Sequence, residues 1–517
     1  MPPVNAPPTS ADDRDPRRIR RALYTAAVLL WLGGRPWPDL PPALPAVVAP
    51  LLLTLATTAL FVAFAHGARW RDLYLPLAFW GLISLGWLIP LDRVFGPALW
   101  LAVTSLIVLW IPPVGWLLRR LYLRWGLGGF LWWAPLAWAG WEWLRSFPPT
   151  GVPWFSLGHG LWQTPILCQI AEITGVAGLS LVLGVVGAGL ARVALLGRRE
   201  VLQLGVGLGM VVGLAAYGQA RLAQLARPAG EPWRVACVQP NIPLADKVGL
   251  SGWDLLFDTL ELTREVPAGT DLVVWPETAT VLYIDEPPAW AYISQAAREG
   301  EFVLAAGGFH RTRGRGWPEP KTNAAVVVEP QGTLAGVYSK VRLVLFGEYL
   351  PARSSRLVYP LARHTPQFFA GRGFYPVRTS LGELGVAICY ESVFPRDCAA
   401  LVRAGAEVLV VMTNDDQLSR TGALEHYYQA VFRAIETRRW VVRCANSGVS
   451  AVIDPAGRPT TESRWHERTV LSGEVYPRGG QTPLVRWGDG FGGLLLALAV
   501  GAALWPGAGR AQEESER

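Results

Sequence analysis

The chain has 517 residues, of which 51% are hydrophobic and only 17% charged, and its formal net charge is +7. Because an average soluble domain carries about 25% charged residues, this composition indicates a membrane protein. The basic excess comes almost wholly from scattered arginines, which argues against a nucleic-acid-binding surface. The five cysteines lack the spacing of a metal or redox site and the density of a disulfide scaffold.

Eight apolar stretches are candidates for membrane-spanning helices, which need roughly 20 apolar residues each. The first begins with basic residues, like a signal peptide, but no small-residue cleavage site follows, so we interpret it as a retained span. The eight stretches lie near residues 22–34, 43–65, 73–91, 97–118, 126–145, 169–196, 200–217 and 488–506.

The arginines near these stretches predict the orientation, because short cytoplasmic loops accumulate Lys and Arg. With eight spans and the N-terminus inside, every arginine cluster between them is cytoplasmic, whereas dropping the first span would place three clusters outside. We therefore predict a transmembrane domain at 1–225 with spans one to seven, an external domain at 226–480, and the eighth span with a cytoplasmic tail at 481–517. The clusters are Arg17, Arg18, Arg20 and Arg21; Arg69 and Arg71; Arg119, Arg120 and Arg124; Arg198 and Arg199.

From Arg234 onward, short β-rich runs alternate with amphipathic stretches of helical spacing. Continuous apolar strands alternating with helices indicate sheets with covered faces, so we predict an α/β domain. Three strands end in polar residues, in the runs DLVVWPE (271–277), LGVAICYE (384–391) and EVLVVMTND (407–415). Because functional side chains of α/β domains gather at the carboxyl ends of strands, these residues are candidates for a site.

Each candidate also has a structural explanation. Cys389 could be a small buried hydrophobe, Glu277 a solvated strand end and Lys340 a surface charge at a hairpin exit. Their combination is more informative, because the sequence has no GxSxG elbow, no P-loop GK[ST] and no HExxH, and its six histidines are dispersed. Cys, Glu and Lys are therefore the best available reactive set, and no metal site is predicted.

These motifs resemble the nitrilase, or carbon-nitrogen hydrolase, family, whose members use a Glu, a Lys and a Cys in that chain order. Here they are WPE at Glu277, YSK at Lys340 and CYE at Cys389. The chain as a whole is similar to a membrane-embedded branch, the apolipoprotein N-acyltransferases. Further matches are WEWLRSFPPTGVPW (141–154), QPNIP (239–243), FGEYLP (346–351) and NSGVSAVIDPAGR (446–458).

The resemblance implies a multi-pass protein of the inner membrane, whose α-β-β-α sandwich domain faces the periplasm. It also implies a ping-pong acyl transfer in which Cys389 takes an acyl chain from a phospholipid. The resulting thioester then acylates the N-terminal amine of a diacylglyceryl-cysteine lipoprotein. No cofactor and no nucleic-acid partner are implied.

In this chemistry Glu277 would act as the base, and Lys340 would lower the pKa of the Cys389 thiol. Lys340 and the backbone N–H of Tyr390 are candidates to bind the oxyanion. We expect supporting roles for three residues around the nucleophile: Glu348, Tyr390 and Glu391. Glu348 matches a further family acid. It could orient Lys340 or the nucleophile, and a purely structural ion pair stays equally open.

Three further residues are candidates for contact with substrate or lipid headgroups. Asn414 ends an apolar strand, and Glu142 and Arg145 lie near the outer end of the fifth predicted span. Charges in an apolar segment are costly, which favours a function. A purely structural Glu142 to Arg145 pair at helical spacing stays equally open.

Departures from the family pattern make substrate preference harder to predict than reaction class. They fall at Val248, Leu345, Gln417 and Leu418, where the family usually carries aromatic residues or, at Leu345, a proline. Two alternatives also stay open. One is a membrane-tethered hydrolase or thioesterase that uses water as acceptor, and the other is a degenerate domain that binds lipids or lipoproteins without catalysis.

Overall fold

The computed structural model describes residues 15–37, 39–41, 43–91, 95–147, 151–227, 230–243, 250–312, 321–345, 347–349 and 367–505. The chain divides into two compact units. The first comprises Met1–Ala223 with Asp489–Arg517, and the second is Gln224–Gly488.

The described part of the first unit is helical. Helix α5 (Ile111–Leu144) lies close to helix α15 (Phe491–Leu504). A Cβ added at Gly140 would lie only 2.7 Å from Leu496 Cα. The Trp125 indole N–H also donates to the Ala502 carbonyl oxygen at 3.0 Å. The helices are α1 (Pro16–Gly34), α2 (Ala43–Ala65), α3 (Tyr74–Ser84), α4 (Phe95–Val108), α5 (Ile111–Leu144), α6 (Pro165–Cys168), α7 (Ala171–Thr174), α8 (Val176–Leu196), α9 (Leu202–Leu225) and α15 (Phe491–Leu504).

Within the described residues, four helical stretches are long and apolar enough to cross a membrane. These stretches support a membrane domain, but the predicted count of eight spans is not confirmed and stays a prediction. The four are Ala43–Ala65, Trp100–Leu144, Val176–Leu196 and Leu202–Leu225.

Several predicted span boundaries differ from the helices. The predicted span 97–118 is broken between Val108, where α4 ends, and Ile111, where α5 begins. Pro112 and Pro113 lie in the first turn of α5, where proline is favoured because its missing N–H is not needed there. Helix α5 itself is interrupted at Gly126, whose φ is 60°. The predicted span 488–506 contains the 14-residue helix α15. At 1.5 Å per residue that helix is about 21 Å long, less than the ~30 Å apolar core of a bilayer.

The second unit contains two six-stranded sheets. Their strand orders are β12-β1-β2-β3-β4-β5 and β11-β10-β9-β8-β7-β6. Strands β1, β2 and β3 are parallel to one another, as are β7, β8 and β9. The strands are β1 (Trp233–Gln239), β2 (Leu272–Val274), β3 (Val303–Arg311), β4 (Lys321–Val328), β5 (Leu334–Ser339), β6 (Val377–Arg378), β7 (Glu383–Ile388), β8 (Val408–Thr413), β9 (Trp440–Ala445), β10 (Ala451–Ile453), β11 (Pro459–Glu462) and β12 (Thr469–Val475).

Helices cover the outer faces of the two sheets. Helices α10 and α11 contact the first sheet, α12 and α13 contact the second, and β1 contacts β9 between the sheets. Every residue of β8 is buried, as expected for a strand covered on both faces. The predicted α-β-β-α sandwich is confirmed by these layers. The helices are α10 (Gly252–Thr263), α11 (Ala289–Gly300), α12 (Pro395–Arg403), α13 (Arg420–Thr437) and α14 (Pro483–Trp487).

A close backbone approach at Gly307 of β3 generates the first prediction. A Cβ at this position would lie 2.2 Å from the Pro276 carbonyl oxygen, directly before Glu277. We expect Gly307→Ala to destabilise the chain by about 1–3 kcal/mol, because strand backbone must shift to admit the methyl group. Thermal unfolding of the purified chain in detergent measures this loss.

Gly479→Ala is the matched control, because nothing lies within 4 Å of a Cβ added there. Equal unfolding temperatures for the two variants would contradict the close approach at Gly307.

Candidate active site

Four chain segments bring polar residues to one region of the sandwich. Glu277 follows β2, Lys340 follows β5, Cys389 follows β7, and Asn414 follows β8. β2 lies in the first sheet between the parallel strands β1 and β3, and β7 and β8 are parallel neighbours in the second sheet. The carboxyl ends of strands therefore form the site, as the sequence predicted.

A buried ammonium group lies at the centre of this region. Lys340 Nζ is 3.1 Å from Glu277 Oε1 and 2.8 Å from Glu348 Oε1, and its side chain is 1% exposed. Burial alone would lower the pKa of Lys340, but the carboxylates of Glu277 and Glu348 outweigh burial and hold the pKa well above its usual value. Lys340 is therefore a permanent positive charge.

Three further donors fix the carboxylates around Lys340. The Asn323 side-chain amide donates to Glu277 Oε1 at 2.7 Å and to Glu348 Oε1 at 3.0 Å. The backbone N–H of Asn414 donates to Glu277 Oε2 at 3.0 Å. Glu348 is also held by the backbone N–H of Val344 at 2.8 Å. Glu277 is therefore held by β4 and by the segments that follow β5 and β8.

Cys389 occupies a strained turn beside this cluster. Strand β7 ends at Ile388 and a 3₁₀-helix begins at Cys389, whose φ of 51° is in the left-handed region. Left-handed backbone is unfavourable for residues other than glycine, and at functional sites the surrounding structure enforces it. Cys389 is only partly buried, whereas the other four cysteines are fully buried.

The pKa of Cys389 depends on burial and on the neighbouring charges together. Burial raises the pKa of the Cys389 thiol well above its usual value, the charge of Glu277 raises it further, and Lys340 only partly offsets them. Lys340 lowers this pKa, as expected, but burial and the neighbouring carboxylates outweigh one ammonium. The net direction favours a thiol at Cys389, so attack by its sulfur would need a base that removes the proton.

Glu391 connects the turn at Cys389 to the segment that follows Lys340. Its carboxylate accepts hydrogen bonds from four donors: the backbone N–H groups of Ile388, Val341 and Arg342 and the hydroxyl of Tyr338, at 2.6–3.1 Å. Burial raises the pKa of Glu391 to about 7, while the backbone donors favour its ionised form. Glu391 therefore positions the two loops relative to each other.

Tyr390 and Asn414 lie where the sequence predicted them, on the first turn after β7 and at the end of β8. The Tyr390 ring packs edge-on against Phe394 with centroids 4.9 Å apart. Asn414 contributes its backbone N–H to Glu277, and its side chain accepts a hydrogen bond from Asn446 at 3.1 Å. The roles of both residues toward substrate stay predictions.

Residues 234–482 match the family Carbon-nitrogen hydrolase, and residues 26–189 match the Apolipoprotein N-acyltransferase N-terminal domain. An apolipoprotein N-acyltransferase of Geobacter metallireducens is 33% identical over 511 residues, covering 95% of this chain and 96% of the relative. The chain belongs to the apolipoprotein N-acyltransferase family. A second member, from Azotobacter vinelandii, is 34% identical over 444 residues, covering 83% of this chain and 81% of the relative.

The carbon-nitrogen hydrolase match spans the whole site. A solved carbon-nitrogen hydrolase from Helicobacter pylori aligns with a TM-score of 0.37 and 20% identity, covering 47% of this chain and 89% of that protein. The resemblance stated from the sequence is confirmed by the family matches. The catalytic assignment of Glu277, Lys340 and Cys389 stays a prediction.

Glu142 and Arg145 lie in the other unit, at the end of α5, and both are buried. Glu142 accepts hydrogen bonds from the Trp138 indole at 2.9 Å and from the Leu157 backbone N–H at 3.0 Å. The Arg145 guanidinium lies 5.1 Å from the centroid of the Trp141 ring. These partners are protein groups, and contact with lipid headgroups stays a prediction.

The sequence analysis missed Asn323, although one signal was available. Asparagine is depleted in strands, yet Asn323 belongs to β4 and stands directly before its apolar run. Of the family departures, Val248 and the side chain of Gln417 lie outside the described residues. Leu345 and Leu418 are described, and nothing in the structure explains either departure.

The raised pKa of Cys389 generates a pH prediction. The rate of alkylation by uncharged iodoacetamide should rise about tenfold per pH unit from neutral pH upward, because only the thiolate reacts. Peptide mass spectrometry identifies the labelled cysteine, and Cys389→Ala provides the background from the buried thiols. A rate constant that is already flat near neutral pH would mean a resting thiolate and would contradict this electrostatic account.

Proposed function

We propose that this chain transfers an acyl chain from a membrane phospholipid, through a thioester on Cys389, to the N-terminal amine of a diacylglyceryl-modified lipoprotein. The observation that carries the proposal is the buried Lys340 ammonium, held between Glu277 and Glu348 beside a strained, partly exposed cysteine. The curated relatives are named apolipoprotein N-acyltransferases, which supplies the acceptor class.

The first half-reaction forms the thioester. Glu277 takes the proton of Cys389 as the sulfur attacks the ester carbonyl of the phospholipid, so negative charge develops on the carbonyl oxygen. Lys340 and the backbone N–H of Tyr390 stabilise that oxygen, and each such donor contributes on the order of 3 kcal/mol. The ester C–O bond then breaks, and Glu277 gives its proton to the departing lysophospholipid oxygen.

The second half-reaction transfers the acyl group to nitrogen. The neutral α-amine of the lipoprotein cysteine attacks the thioester, and Glu277 accepts a proton from the attacking nitrogen. When the C–S bond breaks, this proton returns to the Cys389 sulfur and restores the resting thiol. Because Glu277 is already fixed by Asn323 and Asn414, no reorganisation of the base is needed between the two steps.

We also propose the membrane arrangement. Eight spans with a cytoplasmic N-terminus place residues 226–480 on the periplasmic side of an inner membrane. The arginine distribution and the four strongly apolar helical stretches support this arrangement. On that side, an active site would meet the phospholipid ester and the lipoprotein amine near the headgroups, where both substrates present these groups.

Mass spectrometry of the purified chain incubated with phospholipid tests the proposed function. We expect an acyl adduct on the peptide containing Cys389 that persists until a diacylglyceryl-cysteine peptide with a free amine is added. Cys389→Ala should give no adduct.

Cys398→Ala is the matched control, because Cys398 is a fully buried thiol on α12 and the variant should keep full acylation. Rapid loss of the adduct to water without acceptor would indicate a hydrolase. Acyl transfer by Cys389→Ala at the wild-type rate would exclude the thioester.

A further inference from the structure

Behind Cys389 lies a buried polar cluster that the proposed chemistry does not use. It contains Ser392 of the 3₁₀-helix, His426 of α13, Asp415 after β8 and Arg443 of β9, and all four are buried. His426 Nδ1 lies 2.8 Å from Asp415 Oδ1, and Arg443 Nη2 lies 2.6 Å from Asp415 Oδ2. The cluster therefore joins strand β9 and the segments that follow β7 and β8 to one helix.

Ser392, His426 and Asp415 have the connectivity of a serine hydrolase triad, with Ser392 Oγ 3.1 Å from His426 Nε2. A nucleophile must be accessible, but Ser392 is fully buried, and its hydroxyl donates to the Cys389 carbonyl oxygen at 2.7 Å. The cluster is therefore not a second catalytic triad. Its common target is a backbone group of the cysteine.

His426 reaches the same backbone group. Its Nε2 lies 3.1 Å from the Cys389 carbonyl oxygen. Burial alone would raise the pKa of Asp415, but the Arg443 charge and the contacts with His426 and Arg443 outweigh burial and hold that pKa well below its usual range. A carbonyl oxygen only accepts, so His426 Nε2 is the donor in the contact with Cys389, while Asp415 holds the ring from the opposite side at Nδ1.

The direction of this carbonyl matters because of peptide planarity. The carbonyl of Cys389 and the N–H of Tyr390 belong to one planar trans peptide and point in opposite directions. Two donors that hold the carbonyl inward therefore hold the N–H outward. They also secure the unfavourable φ of 51° at Cys389.

We propose that His426, oriented by Asp415 and assisted by Ser392, is a positioning residue that aims the Tyr390 backbone N–H at the developing oxyanion. This inference rests on the proposed function, in which Cys389 is the nucleophile. It assigns the buried cluster to preorganisation of the acylation step, with no direct contact to substrate.

Single-turnover acylation of Cys389 by phospholipid, followed by mass spectrometry, tests the role of His426. His426→Leu removes the donor, and we expect acylation to slow on the order of 100-fold, the loss typical of one oxyanion-hole donor. The phospholipid concentration that gives half the maximal rate should stay unchanged, because binding is not affected. His426→Gln keeps a side-chain N–H and should recover about tenfold of the lost rate.

Tyr427→Phe is the matched control on the same helix. It removes one buried hydroxyl that bonds to Glu462 at 2.9 Å, so we expect a wild-type acylation rate. If His426→Leu does not fold, Ser392→Ala replaces it, because this variant removes the other donor to the same carbonyl. A slower rate in that variant supports the proposal, and an unchanged rate overturns it.

A wild-type rate in His426→Leu would overturn the positioning role, as would equal rates for the glutamine and leucine variants. A higher half-saturating concentration with an unchanged maximal rate would also overturn it, since it would indicate substrate binding. If the wild-type chain forms no thioester, the proposed function fails first, and this inference fails with it. The two failures are therefore distinguishable.

Discussion

The Lys340 ammonium, buried between two carboxylates, is the interaction on which the site depends. A single buried charge costs several kcal/mol, and it is tolerated only when its partners are close and hydrogen-bonded. Here the partners arrive from the segments after β2 and β5, and Asn323 of β4 bonds to both carboxylates. The charge cluster thus links the segments after β2 and β5 to strand β4.

In this arrangement the positive charge belongs to Lys340, and the proposed nucleophile, Cys389, carries no charge until its proton is removed. Lys340 stays protonated, whereas burial and Glu277 keep Cys389 a neutral thiol. A thiol that loses its proton only during attack avoids a resting thiolate exposed to water and oxidants. In the proposed reaction, the strained turn at Cys389 adds a second element, the Tyr390 backbone N–H that would face the developing oxyanion. Lys340 and this N–H would then stabilise the same carbonyl oxygen.

Much of the second unit could be predicted from local sequence. The apolar runs ending at Glu277, Cys389 and Asn414 became strands that deliver these residues to one region, because strand periodicity and burial are local signals. The sign of the pKa shift at Cys389 could not be predicted, since it depends on burial and on neighbours distant in the chain. His426 was also missed, because its contacts with Asp415 and with the Cys389 carbonyl form only when separate segments of the chain fold together.

The membrane unit was harder to predict. Hydropathy locates apolar segments, but helix ends depend on local breaks such as Pro112, Pro113 and Gly126 within the stretch Trp100–Leu144. Hydropathy therefore gives the class of the unit more securely than the number of its spans.

The central claim is tested most directly by the pH dependence of thermal unfolding in Lys340→Met, compared with Lys321→Met as control. Without the ammonium, two buried carboxylates repel each other at neutral pH, and breaking such a pair typically costs about 3–5 kcal/mol. Protonation relieves this repulsion, so the stability deficit should shrink as pH falls toward 5 and grow toward 8, as a roughly sigmoidal change. A deficit that is constant across this range, or absent, would contradict a buried charge cluster at the centre of the site.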